Sequence, residues 1–305
     1  MKLTRLDANP IITPRQDQHW EINGTFNPGA VAEGPVTHML YRAVDSSWVS
    51  RLGYVRLLNG REVSFRSSDP VMEASADWEE FGCEDPRLTL IDGAYYVTYT
   101  AFSRRGPRIA LASTKDFMHF TKHGLVGPDR DDKDCVLFPE RINGKVTMLH
   151  RLESKVQIAY FESLEALDNS QKFWNEYVTH FDDYEVIRPK FSWEKRKVGV
   201  GPPPLKTERG WLVLYHGVSL NRVYRAGAIL LDLDQPAKVV ARTREPILEP
   251  EMDFETRGVV PNVVFPDGAV IQNGELLTYY GGADRVCCIA SVPLDEFLDE
   301  LERYS

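Results

Sequence analysis

The sequence predicts an all-β protein, a five-bladed β-propeller with a short C-terminal helix, formed as one domain over residues 1–305. Two observations predict this fold. A turn glycine followed by a strand-like run recurs five times, and the intervals between these glycines are similar, at 59, 51, 66 and 64 residues. The glycines are Gly34, Gly93, Gly144, Gly210 and Gly274. The five units account for the whole chain, because one fifth of its length is 61 residues.

Each repeat also carries strand-like segments on either side of its glycine run. They are rich in β-branched and aromatic residues and are bounded by Gly, Pro, Asp and Asn. The segments before the glycines are 26–31, 84–88, 134–139, 199–205 and 261–266, and those after them include 108–113, 156–160, 226–231 and 286–292. Three or four antiparallel strands in each of five units are typical of a propeller, whose innermost strands line a central channel. A β-sandwich, the alternative fold, would not explain a period of about 60 residues.

Helices are expected to be minor. Residues 293–301 carry apolar side chains at i, i+3, i+4 and i+7, which predicts a surface helix packed at the C-terminus. Residues 161–174 are expected to form a loop with one or two helical turns. No linker or low-complexity segment marks a second domain.

The composition is that of an ordinary globular protein with an acidic balance. Asp and Glu number 45 against 36 Lys and Arg, so no nucleic-acid or anionic-membrane partner is expected, although a local basic pocket for a small anion stays open. The chain has no run of roughly 20 apolar residues and no signal-like N-terminus. The four cysteines lack CxxC spacing, and the seven histidines lack HxxxH or HExxH spacing. We therefore expect a reduced, cytoplasmic protein without a metal site.

Polar residues recur at one phase of the repeat, just before or within the first strand. They are Asn27, Asp85, Asp134 and Asn262. Because the inner strands of a propeller converge on one mouth of the channel, these residues should meet in space. Each could instead start a turn, since Asn and Asp before Pro are common turn formers. Four such residues in register favour a shared site.

Several motifs, in order along the whole chain, resemble glycoside hydrolase family 130. They are Phe26-Asn27-Pro28-Gly29-Ala30, Tyr41-Arg42-Ala43, Glu84-Asp85-Pro86-Arg87, Lys133-Asp134 with Leu137-Phe138-Pro139-Glu140, His150-Arg151, Lys197 with Gly199 to Pro204, Tyr215-His216-Gly217-Val218, Tyr224-Arg225-Ala226-Gly227 and Tyr280-Gly281-Gly282-Ala283-Asp284. That family contains β-mannoside phosphorylases and some inverting β-mannosidases on a five-bladed propeller. No single motif is specific, but the combination is.

The resemblance implies roles for the matching residues. Asp85 would be the catalytic acid, which reaches the glycosidic oxygen through a proton relay by the 3-hydroxyl of the mannose. The residues implied to hold the mannosyl ring are Asn27, Arg42 and Asp284. We add Glu84, Arg87 and Asp134 as further candidates for substrate binding. The residues implied to bind or flank phosphate are Lys133, His150, Arg151, Lys197 and Tyr224.

Three of these assignments have alternatives. Glu84 and Arg87 could form an ion pair that fixes the orientation of Asp85. Lys133-Asp134 departs from the Arg-Asn pair of some characterised phosphorylases, and a carboxylate beside a bound dianion would be unfavourable unless Asp134 turns toward the sugar. Arg151 could pair with Asp134 or Glu153 instead of binding phosphate.

The implied chemistry agrees with the residue types. An inverting glycosidase needs an acid and a separate base, with carboxyl groups roughly 6.5–9.5 Å apart. A phosphorylase needs only the acid, together with cations that hold the phosphate.

We therefore expect an inverting phosphorylase that converts a β-mannoside and inorganic phosphate into α-mannose 1-phosphate, with no cofactor besides this co-substrate. An inverting β-mannosidase and a catalytically silent carbohydrate-binding propeller are the alternatives. The linkage, the acceptor sugar and the oligomeric state stay open, although the family often assembles into homo-oligomers.

Overall fold

The computed structural model describes residues 2–303, so residues 1, 304 and 305 of the predicted domain lie outside the described residues. Over this range the protein is mostly β, as the sequence predicts. Its strands group into five successive antiparallel units, which we number along the chain. One strand departs from this order: β1 (Thr4–Arg5) pairs with the last strand of unit 5.

Units 1 and 2 belong to one eight-stranded sheet and are joined by a single parallel pairing of Ser50 with Gly82. The strands of unit 1 are β2 (Gly24–Glu33), β3 (Val36–Val44), β4 (Ser50–Leu58) and β5 (Glu62–Arg66). The strands of unit 2 are β6 (Gly82–Ile91), β7 (Ala94–Ser103), β8 (Gly106–Thr114) and β9 (Phe120–Leu125). Within each unit, consecutive strands are antiparallel.

Units 3, 4 and 5 are separate sheets with the same strand order. The strands of unit 3 are β10 (Asp132–Leu137), β11 (Val146–Leu152), β12 (Val156–Phe161) and β13 (Glu185–Ile187). The strands of unit 4 are β14 (Lys197–Val200), β15 (Leu205–Thr207), β16 (Gly210–Val218), β17 (Tyr224–Leu231) and β18 (Val239–Arg242). The strands of unit 5 are β19 (Val264–Gln272), β20 (Glu275–Gly282) and β21 (Val286–Pro293), completed by β1.

The helices are short, and the two predicted helical regions are confirmed. The segment after β12 forms α1 (Glu165–Asp168) and α2 (Gln171–Tyr177), and α3 (Asp253–Thr256) precedes unit 5. The C-terminal helix α4 (Leu294–Glu302) buries Phe297, Leu298 and Leu301 in the apolar core shared by units 4 and 5. Between residues 2 and 303, no helix is long and apolar enough to cross a membrane.

The first strands of neighbouring units contact each other near the centre of the molecule. β2 contacts β6, β6 contacts β10, and β10 contacts β14, while β19 contacts both β2 and the unit 4 strands β16 and β17. The approach is close, since a Cβ atom on Gly29 of β2 would lie 2.1 Å from the carbonyl oxygen of Pro86 in β6. Residues at the same position of different first strands are therefore brought together although they are far apart in sequence.

Four units repeat a buried triad of a glutamate, a tyrosine and a cation. In unit 2 the fully buried carboxylate of Glu79 accepts hydrogen bonds from Tyr99 of β7 and Lys122 of β9, both at 2.7 Å. The equivalent triads of units 1, 4 and 5 are Glu21 with Tyr41 and Arg66, Glu194 with Tyr215 and Arg242, and Glu255 with Tyr280 and Arg5. Each triad ties the segment before a unit to the second and fourth strands in the order of its sheet. These are β16 and β18 in unit 4, and β20 and β1 in unit 5.

Candidate active site

A cavity of about 150 Å³ opens where the first strands meet. Nine of the twelve residues that the sequence suggests for the site line this cavity: Asn27, Arg42, Asp85, Lys133, Asp134, Arg151, Lys197, Tyr224 and Asp284. They come from all five units. His216 and three apolar or aromatic residues near the start of unit 5, Val260, Val263 and Phe265, complete the lining.

A repeated β-bulge directs the polar side chains of the first strands into the cavity. The strand register shifts between Phe26 and Gly29, between Glu84 and Arg87 and between Lys133 and Val136. Inside these bulges Asn27, Asp85 and Asp134 have left-handed backbones, with φ of 48°, 50° and 56°. Asn and Asp adopt this conformation more readily than most residues, and a bulge re-aims the side chain it carries. The shared position of these polar residues in the repeat therefore reflects a shared backbone conformation.

The prediction that Asn262 is the fourth member of this set is wrong. Asn262 lies before β19 and is exposed, and its carbonyl oxygen accepts a hydrogen bond from the Tyr224 amide at 3.0 Å. The bulge of unit 5 falls between Pro266 and Gly268, so its polar residue is Asp267, which is fully buried. The Asn262-Val263 motif resembles the other repeats in sequence, but the register shift comes five residues later.

The carboxylate of Asp85 is held from two neighbouring strands. Asn27 Nδ2 donates to Asp85 Oδ1 at 2.8 Å, and Arg42 Nη1 donates to the same oxygen at 3.3 Å. Burial alone would raise the pKa of Asp85, but Arg42, Lys133 and Arg87 outweigh it and lower the pKa below its usual value. Asn27 Oδ1 is buried without a hydrogen-bond partner among the described residues, so it can accept a hydrogen bond from a ligand hydroxyl.

The cavity also holds a cluster of cations that includes Lys133, Arg151 and Lys197. Burial, reinforced by Arg151 and Lys133, lowers the pKa of Lys197 to about 8. The Lys197 ammonium lies 5.4 Å from the centre of the Tyr224 ring, and no carboxylate between residues 2 and 303 forms an ion pair with it. A lysine that lies beside an arginine and has no carboxylate partner is suited to hold an anion, because the bound anion supplies the missing countercharge.

Asp134 pairs with the cations rather than turning wholly toward the sugar side. Arg151 Nε donates to Asp134 Oδ2 at 2.5 Å, which confirms the alternative pairing considered for Arg151. Burial opposes ionisation of Asp134, but Arg151, His216 and Arg87 hold its pKa far below the usual value. The carboxylate fits only because residue 199 is glycine, where a Cβ atom would lie 2.3 Å from Asp134 Oδ2. Arg151 still lines the cavity, and its Nη1 donates to the Glu153 carbonyl at 3.1 Å.

His216 belongs to the site although its residue type alone did not single it out. The ring is fully buried and packs at a tilt against Phe265 with centroids 4.5 Å apart, and it has no hydrogen-bond partner on either nitrogen among residues 2–303. Burial lowers the pKa of His216 to about 3, so the imidazole is neutral at neutral pH. A neutral ring with a free N–H can donate to a bound oxygen. Its position next to Gly217 in a motif of the resemblance was the available signal.

Glu84 and Arg87 support the site from outside the cavity lining, and the ion pair expected between them is not formed. Glu84 instead pairs with Arg42 Nη2 at 2.7 Å and with Lys133 Nζ at 3.3 Å. Arg87 is almost fully buried and donates through Nη1 to the carbonyl oxygen of Asp85 at 2.6 Å. Because neither side chain reaches the cavity surface, we assign both to positioning and not to direct substrate contact.

His150 does not lie beside the predicted phosphate site. Its ring is fully buried, with Nδ1 at 2.7 Å from Asp132 Oδ2 and Nε2 at 2.9 Å from the Tyr177 hydroxyl. Successive residues of a strand point to opposite faces, so the strand that presents Arg151 to the cavity turns His150 away from it. The Asp132 carboxylate also accepts the Arg151 amide at 3.2 Å, so His150 supports Arg151 indirectly.

The arrangement defines a class of protein. Among residues 2–303, no group of three or more His, Cys, Asp or Glu side chains is placed to hold a metal ion, and the four cysteines are buried free thiols. The cavity combines a carboxylate held by Asn27 and Arg42 with a cluster of cations that can bind an anion. These are the groups that a carbohydrate-active enzyme with an anionic co-substrate requires.

The chain belongs to glycoside hydrolase family 130, because the family model described as β-1,4-mannooligosaccharide phosphorylase matches residues 2–303. The family predicted from the motifs is thereby confirmed. The chain is 40% identical to a 1,2-β-oligomannan phosphorylase of Thermoanaerobacter sp. (strain X514), over 97% of this chain and 99% of the relative. It is 36% identical to a β-1,2-mannobiose phosphorylase of Listeria innocua, over 99% of both chains.

A solved structure shares the fold over the same length. The β-1,2-mannobiose phosphorylase from Listeria innocua in complex with β-1,2-mannobiose superposes with a TM-score of 0.83 at 28% identity. The superposition covers 99% of this chain and 100% of that chain. The likeness in fold therefore extends over the whole length of both chains.

Proposed function

We propose that this chain is an inverting phosphorylase that cleaves a β-mannoside with inorganic phosphate and releases α-mannose 1-phosphate. The observation that carries the proposal is one cavity that holds the candidate acid Asp85 together with Arg151 and Lys197. Relatives named as phosphorylases support the same reaction type. We also propose the five-bladed propeller as the fold, supported by the five antiparallel units and by the contacts between their first strands.

In this proposal Asp85 donates the proton that the leaving sugar needs, through the 3-hydroxyl of the mannosyl ring as the family resemblance implies. Asn27 and Arg42 both donate to Oδ1 of Asp85, which leaves Oδ2 for the sugar. Asn27 Oδ1 and the Asp284 carboxyl are further groups in the cavity that can bind sugar hydroxyls. Held this way, the sugar and the acid react as if within one molecule.

Phosphate binding would also bring the acid into its protonated form. Without a bound anion, Arg42, Lys133 and Arg87 favour the ionised form of Asp85, which cannot donate a proton. A phosphate dianion beside Lys133 would offset this positive field and raise the pKa of Asp85. Water carries no charge and would leave the acid ionised. The same cations would therefore hold the nucleophile and favour phosphorolysis over hydrolysis.

We propose a β-1,2-linked mannoside as the preferred substrate. The two relatives described above, at 40% and 36% identity, are both named for β-1,2-linked mannosides. The family description names β-1,4-mannooligosaccharides, so a test of the proposal must offer both linkages. A cytoplasmic location and assembly into a homo-oligomer stay predictions from the sequence.

The test is incubation of the purified protein with β-1,2- and β-1,4-mannobiose, each with and without phosphate. We expect mannose 1-phosphate only when phosphate is present, and faster turnover of the β-1,2 linkage. Equal release of free mannose without phosphate would reject the proposal in favour of an inverting β-mannosidase that uses water and a carboxylate base. Binding of both sugars without any turnover would instead favour a carbohydrate-binding propeller.

A further inference from the structure

The buried carboxylate of Asp267 has no part in the chemistry proposed above. It lies in the bulge of β19 between Pro266 and Gly268, which contains one residue where the bulges of units 1, 2 and 3 contain two, and it does not line the cavity. Its side chain has no exposed surface, and its Oδ1 lies 2.7 Å from Arg87 Nη2. Apart from this contact, neither oxygen has a hydrogen-bond partner among the described residues. Burial raises the pKa of Asp267 well above its usual value, and the Arg87 guanidinium opposes that rise.

Arg87 links this carboxylate to the catalytic strand. Its Nη1 donates to the carbonyl oxygen of Asp85 at 2.6 Å, and its Nε donates to the carbonyl oxygen of Gly201 at 2.9 Å. The side chain is 1% exposed, so the guanidinium depends on protein groups alone for its countercharge. Asp134 is the other carboxylate near it, at 3.5 Å, and that carboxylate already accepts a hydrogen bond from Arg151.

We propose that Asp267 is a positioning residue for the acid: it holds Arg87 in the orientation in which the guanidinium fixes the backbone of Asp85 within the bulge. Asp85 has a left-handed backbone, with φ of 50°, which its surroundings must stabilise. Without Asp267, Arg87 would lose the contact that fixes its guanidinium on this side. Its hydrogen bond to the Asp85 carbonyl would then loosen.

The proposal rests on the phosphorylase function proposed above, and it predicts an effect on turnover rather than on phosphate binding. The phosphate cations Lys197 and Arg151 come from other strands, and within residues 2–303 Asp267 forms its ion pair with Arg87 and not with either of them. A displaced acid therefore lowers kcat while the KM for phosphate changes little, whereas general loss of structure would alter both or reduce the folded fraction.

The experiment compares D267N and D267A with wild type, measuring kcat and the KM for phosphate on protein whose folded fraction is known from circular dichroism. We expect D267A to lower kcat by about 100-fold, since a displacement of about 1 Å at a catalytic group has effects of that size. D267N keeps an oxygen that can accept from Arg87 and should lose only about tenfold. Because Asp267 acts through Arg87, D267N should add little to the loss in an R87K background.

The matched control is E255Q in the same unit. Glu255 is also fully buried and ion-paired, 2.7 Å from Arg5 Nε, but its side chain belongs to a buried triad and does not line the cavity. E255Q should lower the unfolding temperature and leave kcat of the folded protein within about twofold. Wild-type kcat in D267N, or an equal loss of kcat in E255Q, would overturn the proposal. Failure of wild type itself to use phosphate would instead reject the proposed function.

Discussion

Replacing Asp284 by asparagine should stabilise the protein and impair it as an enzyme. Asp284 lies in the turn between β20 and β21, and burial raises the pKa of its carboxyl from 3.8 to about 6. Its backbone is left-handed, with φ of 52°, a conformation that Asn adopts as readily as Asp. Between about pH 4 and pH 6 the unfolded chain has this carboxyl ionised while the folded protein keeps it protonated. The folded state of wild type therefore loses stability as pH rises through this window.

The size of this loss of stability follows from the pKa shift of Asp284. Each pKa unit corresponds to about 1.4 kcal/mol, so a rise from 3.8 to about 6 weakens the folded state by at most about 3 kcal/mol at neutral pH. D284N lacks this titration. Its free energy of unfolding relative to wild type should rise by about 1 kcal/mol between pH 5 and pH 7, measured by urea denaturation. D134N is the control: the pKa of Asp134 is lowered, so its charge stabilises the folded state equally at pH 5 and pH 7, and D134N should lose stability by an amount that does not change over this window. A difference between D284N and wild type that is independent of pH, or that falls as pH rises, would refute the reasoning.

Three further predictions concern the acid, the anion site and the fold. D85N should keep the circular dichroism of wild type and lose turnover by about 10³-fold, as expected when a general acid is removed; substantial residual activity would mean that another group donates the proton. The kcat/KM for phosphate should fall above about pH 8 in wild type, where Lys197 loses its charge, and stay level in K197R; parallel profiles would contradict this assignment. E79Q should lower the free energy of unfolding by about 3 kcal/mol with an unchanged KM, and an unchanged urea midpoint would argue against the buried triad.

The repeat pattern predicted the five units, and the repeat together with the motifs of the resemblance predicted most of the cavity. Strand alternation and turn glycines are local features, so they are readable without knowledge of packing. Asn27, Asp85 and Asp134 could be identified because they share a phase of the repeat, and the motifs of the resemblance supplied Lys197 and Tyr224. These residues all line the cavity.

The residues that the sequence misplaced depend on geometry that a pattern does not contain. His150 adjoins Arg151 in sequence, but strand alternation sends it to the opposite face. Asn262 resembles the repeat, yet the bulge of unit 5 lies at Asp267, and only the register of β19 with β20 reveals this. Glu84 and Arg87 flank Asp85 and could have paired with each other, but each finds a partner on another strand, because the first strands of several units pack together at the centre.

The central claim is that phosphate, held by the cations of the cavity, attacks the sugar in place of water. Reaction of β-1,2-mannobiose and phosphate in ¹⁸O-labelled water tests it most directly, with the products analysed by mass spectrometry and NMR. We predict α-mannose 1-phosphate without ¹⁸O at the anomeric position and an equal amount of mannose released from the other end of the disaccharide. Two equivalents of free mannose for each disaccharide cleaved, with no mannose 1-phosphate, would contradict the claim.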